Sequence, residues 1–131
     1  MSEDLGKLLL RLGLGGLLLF HGVHKLLNGL EPIKTMLAAH NIPDAVAYGV
    51  YLGELVAPVL IIVGLFSRIG GLVVVINMLV AVLLVHTGSL IALTPETGGY
   101  ALELQTLYLL GGLAVALLGG GRFSLGGRRW N

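Results

Sequence analysis

Residues 20–25 read FHGVHK and close a long apolar run that begins near Leu8. His21 and Lys25 stand four residues apart, with His24 on the same arc, so a helix here would present one cationic, hydrogen-bond-donating face. Elsewhere Glu54, His86 and Glu103 also fall inside or beside apolar stretches. Imidazoles, an amine and carboxylates are the groups that hand over protons and orient a polar ligand. In apolar surroundings an amine and a carboxylate are expected to pair, because pairing lowers the cost of burying either one. An ionisable group at the centre of a bilayer costs about 2.5–3.5 kcal/mol on insertion scales, so each asks for a reason.

The elements that carry these groups follow from hydropathy. Of the 131 residues, 56% are hydrophobic and 11% charged, and the mean hydropathy is +0.94. That is membrane composition. Four runs approach the roughly 20 apolar residues that a spanning helix needs: residues 8–27, 47–66, 69–87 and 100–118. They lack the alternation of a membrane barrel. The expected fold is all-α: one integral membrane domain over 1–131, a four-helix bundle with a short interfacial helix between spans 1 and 2, and a basic tail over 119–131. Pro32 suits the first turn of that short helix, and the Ile33, Met36, Leu37 spacing is amphipathic. Only SR separates the second and third runs, which implies an antiparallel hairpin. Met1 to Phe20 reads as a retained span rather than a cleaved signal, since several further apolar stretches follow.

Composition also excludes. Zero cysteines remove disulfides, thiolate metal sites and dithiol redox chemistry, and no metal site is expected. A net charge of +1 without a Lys/Arg block argues against nucleic acid. The glycines of GGGRFSLGG are not a phosphate loop, because no strand precedes them and no lysine-serine pair follows.

Lys7, Arg11, Arg68, Arg122, Arg128 and Arg129 fall on one side of the four spans, and Lys25 and Lys34 on the other. The positive-inside rule then puts both termini in the cytoplasm. With that orientation every span delivers polar groups to the outer half of the bundle: His21, His24 and Lys25 from the first, Glu54 about 10 Å below the boundary from the second, His86 from the third, and Glu103 one turn below Tyr100 from the fourth. The expected ligand-binding and proton-handling set is His21, Lys25, Glu54, His86 and Glu103, with His24, Tyr100, Gln105 and Tyr108 as secondary members. Arg11 and Arg68 read as topology and interfacial anchors, and Asn77 as interhelical glue. Gly49, Gly53 and Ala57 form a small-residue ridge for packing within the chain or against a second copy.

Several of these stretches together, RLGLGGLLLFHGVHKL, GELVAPVLIIVGLFSR, the later helix with Glu103 and the closing GGGRFSLGG, resemble the DoxX family of small four-helix membrane proteins over nearly the whole chain. Family members often carry an acidic residue after the GRFSL stretch, where this chain has Gly126 and Gly127. The resemblance implies membrane oxidoreduction in a bacterial or archaeal plasma membrane, with His21, Lys25, Glu54, Arg68, His86 and Glu103 at matching positions. It also implies an oxidoreductase partner subunit beside the lipid bilayer. Quinone is the expected ligand, since a quinone needs hydrogen-bond donors at two carbonyls and groups that supply protons. Flavin, dinucleotide and iron-sulfur motifs are lacking, so the electrons would come from a partner. The alternatives are a small proton-coupled transporter or channel formed by a homo-oligomer, a haem held by His21 and His86, and an accessory or assembly subunit without a ligand.

Overall fold

Residues 2–85 and 102–127 are described by the computed structural model of the chain. Among them five helices form and no strand: α1 (Ser2–Asn28), α2 (Glu31–Ala39), α3 (Asp44–Val63), α4 (Ser67–Val85) and α5 (Glu103–Leu118). His86 and Tyr100 lie outside the described residues.

The ends of these helices differ from the hydropathic runs for local reasons. α1 starts at Ser2, with Glu3 and Asp4 in its first turn, where carboxylates favour the positive end of the helix dipole. α3 stops at Val63 because Gly64 takes a left-handed conformation (φ 75°), which costs glycine nothing. There the N–H groups of Gly64 and Leu65 both donate to Leu60 O, at 2.9 and 3.0 Å. The tight connection is thus Gly64–Phe66, and the SR pair expected to form it opens α4 instead. α2 carries Pro32 in its first turn and no side-chain cap. It ends where Asn41 turns left-handed (φ 58°) and Ile42 N–H reaches back to Leu37 O at 2.9 Å.

α3 is not uniform. It opens with a tight 3₁₀ stretch over Asp44–Tyr48, widens to a π turn over Leu52–Val56, and finishes as α-helix over Ala57–Val63. The π turn is marked by the Ala57 N–H, which donates to Leu52 O five residues back.

α1 packs on α3, α3 on α4, α4 on α5, and α5 returns to α1. Between them sits a core of Leu14, Leu18, Ala57, Ile61, Val74, Met78, Tyr108 and Val115. α4 and α5 approach closely because Gly71 and Gly112 face each other, each where a Cβ would press on the other's carbonyl oxygen. On α1 one stripe spaced by fours and threes (Arg11, Gly15, Leu18, Gly22, Lys25) runs along α3: a Cβ at Gly15 would stand 3.0 Å from Pro58 O, and one at Gly22 would overlap Glu54 O. α2 has a small core of its own, Leu30, Leu37 and Ala47, with Ile33, Ile42 and Tyr51 packed on it.

The outward faces of all four long helices are apolar, with Leu17 and Phe20 on α1, Val59 on α3, Ile76 on α4 and Leu107 on α5 among the exposed residues. α1 and α3 are long and apolar enough to cross a membrane, while the apolar stretches of α4 and α5 among the described residues are shorter. Exposed apolar surface on this scale marks contact with lipid or with another protein.

Candidate functional site

Polar chemistry gathers at the two ends of the helix assembly. At the end where α1 finishes and α5 begins lies a cavity of about 290 Å³ lined by residues of all five helices. α1 contributes His21 and Lys25, α2 Ile33 and Met36, α3 Val50 and Glu54, α4 Asn77, Met78, Val80 and Ala81, and α5 Leu104, Gln105 and Tyr108. Apolar walls carrying a few polar groups are the usual make-up of a small-molecule site.

An ion pair joins Lys25 Nζ and Glu54 Oε2 within it. Glu54 is buried at 4% exposure. The lysine completes a carboxylate that would otherwise be a costly lone charge. His21 meets Tyr108 edge to face, with ring centroids 5.7 Å apart and planes at 85°, the arrangement that the ring quadrupole favours. Among the described residues, the side chains of His21, Asn77, Gln105 and Tyr108 have no hydrogen-bond partner in the protein. Four polar side chains therefore line one cavity without a hydrogen-bond partner among the described residues.

Of the residues marked in the sequence, His21, Lys25, Glu54, Gln105 and Tyr108 meet here. His24 does not: it is exposed and accepts from Asn28 Nδ2 at 3.2 Å. Adjacent residues on a helix diverge by about 100°, so His24 turns away from the face that Lys25 uses. Glu103 sits in the exposed first turn of α5 and does not line the cavity. The neutralising role thus falls to Glu54 among the described residues. Asn77, expected only to glue helices, lines the cavity and also packs on Gly53, where a Cβ would overlap its amide. Ala57 of the same ridge is buried, whereas Gly49 has open space at its Cβ position. The cavity-lining part of α2 was readable only as one side of an amphipathic helix. The π turn had a sequence signal in Pro58, a proline within an apolar run.

At the opposite end Arg11 corrects its sequence-based reading as an interfacial anchor. It is buried at 1% exposure. Its guanidinium donates to Ile61 O (2.9 Å) and Ile62 O (3.0 Å) in the last turn of α3, and to Gly120 O and Phe123 O (both 2.8 Å) beyond α5. The segment after α5 returns the contact, with Leu125 N–H on Val63 O and Gly126 N–H on Gly64 O, each at 2.9 Å. Arg68 caps α5, donating to Leu117 O at 2.8 Å and Ala116 O at 3.3 Å. Both arginines thus serve helix C-termini, whose last carbonyls lack helical partners.

The family model for DoxX matches residues 6–87, more than half of the chain. The chain belongs to the DoxX family. No curated protein and no solved structure matches it. The matched DoxX segment holds Arg11, His21, Lys25, Glu54, Pro58, Arg68 and Asn77, while Gln105 and Tyr108 come to the cavity from beyond it. DoxX proteins are membrane-associated, in keeping with the apolar outer faces of this one.

Proposed function

We propose that this DoxX protein is a four-helix membrane bundle whose cavity binds a quinone or quinol, and that it serves as the quinone-binding subunit of a membrane oxidoreductase. α1, α3, α4 and α5 would span the bilayer with both termini in the cytoplasm, and α2 would lie at the outer interface over the cavity. A bacterial or archaeal plasma membrane is the setting that fits. The observation that carries the reading is the set of uncommitted polar side chains (His21, Asn77, Gln105 and Tyr108) around an otherwise apolar cavity beside the Lys25–Glu54 pair. A quinone ring matches such a lining: its faces are apolar and its two carbonyl oxygens accept hydrogen bonds. Reduction to quinol takes two electrons and two protons. The electrons would arrive from the redox centre of a partner subunit, and Lys25, Glu54, Tyr108 and His21 are the groups able to deliver protons to the carbonyls.

The test is extraction of bound quinone from protein purified in mild detergent, with Glu54→Gln as the comparison. Quinone retained by the wild type and lost from the variant supports the reading. A wild-type protein that takes up no added quinone overturns it. Absorption bands of a haem would then favour ligation by His21 and His86, and proton-coupled uptake in vesicles would favour a transporter.

A further inference from the structure

In an α-helix each N–H reaches back four residues. Pro58 breaks that ladder inside α3, because it has no N–H to give to Glu54 O. α3 widens at this point: the Ala57 N–H pairs with Leu52 O, and Leu52–Val56 form the π turn. One added residue rotates everything before it by about 100° relative to an uninterrupted α-helix. Three contacts depend on that rotation. The Glu54 carboxylate meets Lys25. The Glu54 carbonyl lies against Gly22, the one residue type that leaves room for it, and Gly53 lies against the Asn77 amide. Lys25, Glu54 and Asn77 all line the cavity.

We infer that Pro58 and Gly22 are positioning residues of this site: Pro58 imposes the π turn that aims Glu54 at Lys25, and Gly22 gives that turn its seat on α1. Their functional weight rests on the cavity being the quinone site, but their geometric role does not. The two therefore fail separately.

Pro58→Ala supplies the missing N–H and lets α3 close into the α register, which carries Glu54 off Lys25. The readout is the ¹³Cδ chemical shift of Glu54 with and without Lys25→Met. The shift should respond to Lys25→Met when Pro58 is present and lose that response in Pro58→Ala, with quinone retention falling alongside. Gly22→Ala keeps the proline but pushes the added methyl into the Glu54 carbonyl, so it should weaken the same response and decides the matter if Pro58→Ala does not fold. An undiminished response in these variants overturns the inference, even if the wild type holds quinone, because Pro58 would then be merely tolerated. A response lost in the variants of a protein that binds no quinone upholds the positioning and removes the quinone reading.

Discussion

Replacing Arg11 by methionine keeps most of the side-chain volume and deletes four hydrogen bonds at once. The acceptors are the carbonyls of Ile61, Ile62, Gly120 and Phe123, all between 2.8 and 3.0 Å from the guanidinium. A hydrogen bond to a charged group contributes about 1.5–3 kcal/mol, and cation placement at a helix C-terminus adds about 0.3–1 kcal/mol. Against this stands the desolvation of a guanidinium that is 1% exposed, which methionine does not incur. With the buried carbonyls left without donors at about 1–3 kcal/mol each, partly offset by the desolvation no longer incurred, the net loss expected is about 3–5 kcal/mol. At about 3–4 °C per kcal/mol for a domain of this size, Tm in detergent should fall by about 9–20 °C. The segment from Gly119 to Gly127 should become more open to protease, since Arg11 and the last residues of α3 hold it together with the Asp4 carboxylate, which accepts from the Arg122 N–H at 3.0 Å. Arg11→Lys should recover only part of the loss, because an ammonium cannot reproduce the planar fork that reaches two chain segments together. A Tm within about 2 °C of the wild type, with the tail equally protected, would refute the reasoning.

Two further outcomes follow from single contacts. Tyr108→Phe removes a cavity hydroxyl while leaving the ring that meets His21; quinone retention should fall about tenfold, the equivalent of one hydrogen bond, with little change in Tm. Lys34 donates to the Tyr48 hydroxyl at 3.2 Å, which holds its ammonium above the ordinary value of 10.5. Because the folded value is the raised one, this contribution to docking α2 is complete below pH 10.5 and is lost as pH rises through the raised value. The protection factors of the α2 amides, which are corrected for the intrinsic rise of exchange with pH, should therefore fall only at the alkaline end, and Tyr48→Phe should remove that step.

The helices were legible because continuous apolar runs admit little else, and α2 was legible from Pro32 and the Ile33, Met36, Leu37 spacing. What hydropathy could not supply was rotational phase. A helix that is apolar all round has no polar face to fix which way a given residue points. Thus His24 and Glu103 could be assigned to their helices, yet their direction away from the cavity was invisible. The π turn compounds this, since it shifts phase within α3 without altering its apolar composition. Arg11 illustrates a different limit. Counting charges assigns it to a membrane side, but its partners are backbone carbonyls contributed by the last turn of α3 and the segment after α5, and a carbonyl carries no side-chain signature.

The two cations at the ends of the α1 stripe differ in the chemistry of their partners. Arg11 is held wholly by backbone carbonyls, which do not take up protons at any working pH, and a guanidinium keeps its own charge. Nothing in that cluster can change state, so its task is to hold the end of α3 and the segment after α5 on α1. Lys25 instead faces a carboxylate on the wall of a cavity, and on the proposed reading this pair is where a proton would pass to the quinone. One stripe of one helix therefore anchors α3 at both ends, through backbone carbonyls at Arg11 and through the Glu54 carboxylate at Lys25.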